Sequence, residues 1–174
     1  RVRFKGSLGT ARVSLQVDIG FSDVIYPEPI NISFPTLFNS ENPVLLSYTQ
    51  ESVIAEKFEA IVKLGELNSR MKDFYDIWVL SRNFDYDGLN LSEAIKLTFQ
   101  KRKTAVPESV TSFSKSFIDA KQVQWTAFRN RIPLEFIPPS FADIIKDIKE
   151  FILPILTHDP TSLIWKAPGP WTPK

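Results

Sequence analysis

The sequence predicts an α+β fold, with a mixed or antiparallel sheet followed by a helical lobe. Three observations carry this expectation. Up to about residue 48, apolar and polar residues alternate and prolines punctuate the runs, as in ARVSLQVDIGF and VIYPEPINISFPTL, which is the period of strands and turns. From about residue 50 to residue 156, apolar residues recur every three to four positions, the period of amphipathic helices. Hydrophobic residues make up 43% of the 174, with 14 Phe and 4 Trp among them, enough to bury a core.

In ARVSLQVDIGF, Val13, Leu15, Val17, Ile19 and Phe21 alternate with Arg12, Ser14, Gln16, Asp18 and Gly20. One face of that strand is expected in a core, and Asp18 points away from it. Two readings of Asp18 stay open: a solvated sheet face, or a cleft-facing carboxylate able to hold a divalent metal beside Arg12 and Gln16. The helical period places helices near 50–65, 70–82, 91–103, 114–130 and 140–157, with breaks at DYDG and IPLEFIPPS. The segment WKAPGPWTPK is too rich in Pro and Gly for a helix; it either lies against the body through Trp165 and Trp171 or is loose. This organisation divides the chain into a sheet over 1–48, a helical lobe over 49–160 and a tail over 161–174, with no internal repeat.

Composition removes several function classes. With 21 Lys+Arg against 20 Asp+Glu the formal net charge is +1, so no global attraction to nucleic acid or anionic membrane exists and any such binding is local. There is no Cys and one His, which excludes disulfides and thiolate zinc sites and leaves carboxylate, lysine and hydroxyl chemistry. No apolar run reaches transmembrane length and RVRFKGSLGT has no signal-peptide core, so a cytoplasmic protein with neither membrane nor DNA as partner is expected. A strand-like opening without an initiating Met reads as a piece of a longer protein. The cluster Lys101 to Lys103 reads as a solvated helix end that favours the helix dipole, with an RNA contact the alternative. His158 reads as an inert loop histidine. Tyr48, Trp125 and Phe128 read as packing aromatics, with base stacking the alternative.

Two stretches carry chemistry. On a helix over ESVIAEKFEAIVKLG, Lys57 falls among Val53, Ile54, Ile61 and Leu64, opposite a polar face of Glu56, Glu59 and Lys63. An ammonium on an apolar stripe either snorkels, pairs with an anion of the protein, or lines a pocket and meets a ligand anion such as phosphate. In NSRMKDFYDIW, Met71, Phe74, Tyr75 and Trp78 make a core stripe, while Lys72, Asp73 and Asp76 cluster on another side. Ile77, Val79 and Leu80 bracket that cluster, which places the carboxylates in a groove between helices. Arg70 reaches Asp73 at i+3 and Lys72 reaches Asp76 at i+4, and either carboxylate can pair with Lys57. An ion network pinning two helices and a ligand pocket are both open on this pattern.

Taken together, VIAEKFEAIVKLGELNSRMKDFYDIWVLSR resembles the most characteristic segment of the AbiEii/AbiGii-type toxin nucleotidyltransferases, with the pattern Ile-x-x-Lys followed by Arg-x-Lys-Asp-x-x-Asp. LQVDIGFSDVI resembles the strand bearing that family's later catalytic carboxylate, and the resemblance extends from about Arg12 to the end. It implies a bacterial toxin–antitoxin or abortive-infection toxin with a polymerase-β-like nucleotidyltransferase sheet beside a helical lobe. The implied activity is transfer of a nucleotide from an NTP to RNA, with tRNA the expected acceptor, Mg2+ the expected cofactor and a cognate antitoxin the expected partner. By resemblance Asp18 is a catalytic, metal-binding carboxylate, and Lys57, Asp73 and Asp76 belong to the catalytic set. Lys57, Arg70 and Lys72 are the expected NTP ligands.

The family's first motif, Gly-Ser followed some ten residues later by Asp-x-Asp, is expected upstream of residue 1. GSLGTARVSLQVDIG imitates its spacing, since Gly6 and Ser7 precede Asp18 at a suitable interval, but Gly20 stands where the second aspartate belongs. Gln16 stands where a lysine is common. The sequence therefore reads as a fragment or a degenerate member, short of one or two metal ligands, and a non-catalytic module that docks an antitoxin or RNA is the competing reading.

Overall fold

The computed structural model describes residues 1–20, 23–36, 41–132 and 136–174, and the fold is α+β. Its first part is two hairpins. β1 (Val2–Leu8) pairs antiparallel with β2 (Ala11–Val17), Val2 opposite Val17 and Leu8 opposite Ala11. The turn between them runs through Gly9 at φ +60°, a conformation glycine adopts without penalty. β3 (Ile30–Ser33) pairs antiparallel with β4 (Val44–Ser47). The strand face expected in a core is exposed instead: Val13, Leu15 and Val17 keep about half their surface in solvent, and Ile19 lies beyond the end of β2. Alternation fixes which residues share a face, but a two-stranded ribbon buries that face only under a second layer, and no described residue provides one. Phe21 lies outside the described residues.

Five helices follow where the helical period places them: α1 (Gln50–Leu64), α2 (Met71–Asn83), α3 (Gly88–Lys101), α4 (Lys115–Arg129) and α5 (Phe141–Thr157). Side-chain caps fix three of the starts. Thr49 Oγ1 accepts from Ser52 N, Asp87 Oδ1 from Asn90 N and Ser114 Oγ from Phe117 N, each satisfying an amide that the helix itself leaves unpaired. The Thr49 cap also anchors the loop before it. Tyr26 N donates to Ser52 Oγ at 2.8 Å and Thr49 Oγ1 donates to Tyr26 O at 3.0 Å, so residues 23–26 lie over the start of α1.

The core lies between the helices. α5 presents Phe141, Ile144, Ile145, Ile148, Phe151, Ile152 and Ile155 on one fully buried stripe, packed on Phe74, Ile77 and Trp78 of α2 and, through α3, on Leu91, Ile95 and Phe99. Phe74 meets Phe141 edge-on at 5.2 Å, and Phe58 of α1 meets Phe99 of α3 at 5.4 Å. Each such side chain contributes roughly 2–3 kcal/mol on burial, which is what fixes α1 and α2 rigidly side by side.

Of the two readings of the tail, the docked one is found. DYDG contains β5 (Tyr86–Asp87), which pairs with β6 (Leu163–Trp165), and β6 pairs with β7 (Trp171–Pro173), all antiparallel. Trp165 Nε1 donates to Ser81 O at 2.6 Å and Trp171 Nε1 to Phe151 O at 2.7 Å, which ties the tail to α2 and α5. The described strands thus form three small antiparallel sheets. Residues 133–135, inside the break expected at IPLEFIPPS, lie outside the described residues. No described helix is long and apolar enough to cross a membrane.

Candidate functional site

Val53, Glu56, Lys57 and Ala60 stand at i, i+3, i+4 and i+7, so they share one face of α1. That face lines a cleft of about 320 Å³ whose other walls are Tyr48, Arg102 just past α3, and Arg70 and Asp73 at the start of α2. Lys57 is mostly buried, with 20% of its side chain exposed, and its Nζ lies 2.5 Å from Asp76 Oδ2 and 3.4 Å from Asp73 Oδ1. The i+3 and i+4 pairs are both present: Arg70 Nε is 2.9 Å from Asp73 Oδ2 and Lys72 Nζ is 2.6 Å from Asp76 Oδ2. Arg-x-Lys-Asp-x-x-Asp therefore closes on Lys57 as three cations around two carboxylates. Asp73 is only 2% exposed and points inward with Phe74 and Ile77, a placement that the expected far side of α2 did not include. It is tolerable because two cations face it.

The entry into α2 is set by Asn68, which is fully buried and accepts from Arg70 N at 2.8 Å. No side chain caps α2, so the positive end of its dipole adds to the cations in the first turn.

The opposite wall corrects the sequence reading. Glu59, expected on a solvated face of α1 with Glu56 and Lys63, is 2% exposed. It accepts from Arg102 Nη1 at 3.0 Å and from Thr104 Oγ1 at 2.5 Å, with Lys63 Nζ at 3.8 Å. Arg102 Nη2 also lies 3.1 Å from Glu56 Oε2 and 3.8 Å from Asp23 Oδ1. The middle residue of the Lys101 to Lys103 cluster is thus a bridge between α3, α1 and the loop before β3, while Lys101 remains exposed. Packing of α3 along α1 brings this about, helped by a turn at Lys103 with φ +54°. Ser52, Ala55 and Glu59, at i, i+3 and i+7, carried the signal: small residues on the same face as a glutamate mark a helix approached closely there. Burial, with Asp23 adding, holds the Glu56 carboxyl above its ordinary range although Arg102 opposes the shift. Tyr48 is 43% exposed and donates to Asp23 Oδ2 at 3.3 Å, so it walls the cleft instead of packing in the core, whereas Trp125 is fully buried and Phe128 partly so.

Asp18 does not line this cleft. It follows β2 on the exposed hairpin, where its carboxylate accepts from Arg1 Nε at 2.6 Å, Arg1 Nη2 at 3.2 Å and Gln16 Nε2 at 3.1 Å. Among the described residues no group of three or more Asp, Glu or His is arranged to hold a metal ion. One carboxylate already engaged by an arginine does not make a metal centre, so these residues do not fit the magnesium that the resemblance implies.

Fold and site together define an α+β protein with a charged interhelical cleft built from Ile-x-x-Lys and Arg-x-Lys-Asp-x-x-Asp. The family described as nucleotidyl transferase AbiEii toxin, type IV TA system, matches residues 1–147, and the chain belongs to this family. No curated protein and no solved structure matches the chain.

Proposed function

We propose that the chain supplies the lysine-bearing helical wall of a metal-dependent nucleotidyltransferase, the toxin of a type IV toxin–antitoxin pair, which transfers a nucleotide from an NTP to RNA, with tRNA as acceptor. The supporting observation is Lys57 Nζ held between Asp73 and Asp76 in a cleft that Arg70 also lines. In this reading the two carboxylates aim the Lys57 ammonium into the cleft, and Lys57, Arg70 and Lys72 attract the triphosphate. At an effective dielectric near 20, one ammonium 4 Å from one phosphate charge is worth about 4 kcal/mol. The transfer forms a bond from an RNA hydroxyl oxygen to the α-phosphorus and breaks the bond to the departing pyrophosphate, while the hydroxyl proton passes to solvent. Magnesium chemistry of the kind the family implies needs carboxylates besides Asp18, which in this reading come from outside these 174 residues. A cytoplasmic site of action and a cognate antitoxin follow from the same reading.

One observation favours a second reading. Lys57, Arg70 and Arg102 each already have a carboxylate within 4 Å, as expected if the network only pins helices and the lobe is a non-catalytic module docking an antitoxin or RNA. Titration of the chain with labelled NTPs, with and without Mg2+, separates the two. The transferase reading expects salt-sensitive, magnesium-independent binding that Arg70→Met weakens, and no nucleotide incorporation into tRNA by this chain alone. Absence of NTP binding at low salt would leave the interaction module.

A further inference from the structure

Beside the cleft, and sharing Lys57, Arg70 and Asp73 with it, lies a wider groove of about 580 Å³. One wall is the entry to α2, Ser69 through Asp73. The other is formed by Gln124, Ala127, Phe128 and Arg131, at i, i+3, i+4 and i+7, a single face that runs down α4 into the turn beyond it. Among the described residues, four cations line the groove, Lys57, Arg70, Lys72 and Arg131, with the carboxylate of Asp73 beside them and that of Asp76 paired to Lys57 and Lys72. For a chain whose net charge is +1 this is a local concentration. Lys72 keeps 70% of its side chain exposed, and Arg131 is exposed with no ion-pair partner among the described residues. Phe128 is wedged between Tyr75 and Trp125, with ring centroids 5.8 and 5.5 Å away, and still lines the groove.

We infer that this groove carries the acceptor strand: a single-stranded polynucleotide end lies along α4 with its phosphates on Arg131 and Lys72 and a base against Phe128, and its terminal hydroxyl is delivered at Lys57 and Arg70. The inference rests on the transferase reading and adds to it a second track and its residues. Two substrates that react must meet at one point, and the cleft and the groove meet at Lys57 and Arg70. A row of cations with an aromatic side chain set into it is the arrangement that tracks a nucleic-acid backbone and stacks a base without reading sequence. An acidic protein segment would match the charge but gives Phe128 no role.

The test is fluorescence anisotropy of a short labelled single-stranded RNA against the whole 174-residue chain over a salt series. Wild type binds with an affinity that falls linearly in the logarithm of salt. Arg131→Glu weakens binding roughly tenfold, the scale of one charge-assisted contact, and Arg131→Gln reduces the salt slope by about 0.7, the share of one phosphate on a single strand. Gln124→Glu, an exposed change on the same face, weakens binding too and keeps the test valid should the Arg131 variants misfold. Lys96→Glu, the same charge reversal on α3 away from both tracks, leaves the affinity unchanged. Wild-type affinity in both Arg131→Glu and Gln124→Glu overturns the inference, as does polyglutamate binding with this residue dependence where RNA does not bind. Photo-crosslinking of an NTP analogue separates the two layers: its yield is unchanged in Arg131→Glu if both hold. RNA binding with the expected dependence but without NTP crosslinking leaves the strand track standing and removes the transferase reading.

Discussion

Replacing Lys57 by Met separates a ligand-binding lysine from a structural one, and the structure sets the size of each effect. Met fills the volume of the lysine stem and removes only the ammonium. Cutting one partner from a buried ion pair typically costs about 3–5 kcal/mol, because the other charge is left buried and unpaired. Here neither carboxylate is left alone: Asp73 keeps Arg70 at 2.9 Å and Asp76 keeps Lys72 at 2.6 Å. The expected loss is therefore nearer 1 kcal/mol, which for a chain of this length lowers Tm by about 2–4 °C. A triphosphate that loses one charged hydrogen bond loses about 1.5–3 kcal/mol of binding, roughly 10- to 150-fold in affinity. Thermal melts followed by circular dichroism and equilibrium titration with a labelled NTP read the two quantities separately. A fall in Tm beyond about 10 °C with NTP affinity untouched would refute the reasoning and assign Lys57 to the helix-pinning network.

Three further outcomes are expected. Arg102→Met removes the guanidinium from the buried Glu59 carboxylate, leaving Thr104 and a Lys63 ammonium 3.8 Å away, so it destabilises by about 3 kcal/mol in urea unfolding; an unchanged midpoint would deny the bridge its role. Glu56→Gln is expected to gain on wild type as pH rises. A carboxyl whose folded pKa is raised stabilises fully below its ordinary value of 4.5 and loses that contribution as pH climbs through the raised value, whereas Gln does not titrate. The Tm difference, variant minus wild type, then grows between pH 4 and 7, and a constant difference would contradict the burial of Glu56. Gly169→Ala places a methyl group within 2.4–2.9 Å of the Trp165 ring at a position with φ +105°, so it is expected to release the tail and shift Trp fluorescence to the red; an unshifted spectrum at full stability would show that the tail accommodates it.

What was legible in the sequence was what is local. The five helices stand out because their apolar stripes repeat over three or four turns, whereas the period alone does not fix their ends: α3 starts at Gly88, behind the Asp87 cap, and not near residue 91. Arg70 with Asp73 and Lys72 with Asp76 are legible because i+3 and i+4 neighbours meet on any helix. Lys57 drew attention as a charge out of place on its stripe. The bond between Arg102 and Glu59 spans 43 residues and exists only because α3 lies along α1, so local periodicity assigned both ends to solvent. The exposed face of β2 shows the reverse error. Alternation says which side chains point together, and whether anything covers them is a property of the neighbouring layer.

The interleaving of charges and hydrophobes in NSRMKDFYDIW now has a physical account. Phe74, Ile77 and Trp78 anchor α2 in the core, so Arg70, Lys72, Asp73 and Asp76 ride on a rigid element, and the cost of burying Asp73 is offset by the cations set around it. The compensation is uneven across α1. On the α2 side Lys57, Arg70 and Lys72 face two carboxylates, whereas on the α3 side Arg102 and Lys63 face three, Asp23, Glu56 and Glu59. Of the charged groups that line the cleft itself, Lys57, Arg70 and Asp73 lie towards α2 and Glu56 and Arg102 on the other side, so the excess of positive charge lies towards α2. In the proposed reading this orients the nucleotide: its phosphates are drawn to the α2 side, where the helix dipole and the second groove also lie. The sugar and base are left to the side of Tyr48 and Glu56, where an exposed ring and a largely buried carboxyl offer stacking and hydrogen bonding instead of charge. An ion network that served only to join helices would have no need of this asymmetry, since pairs balanced on each side would pin α1 equally well.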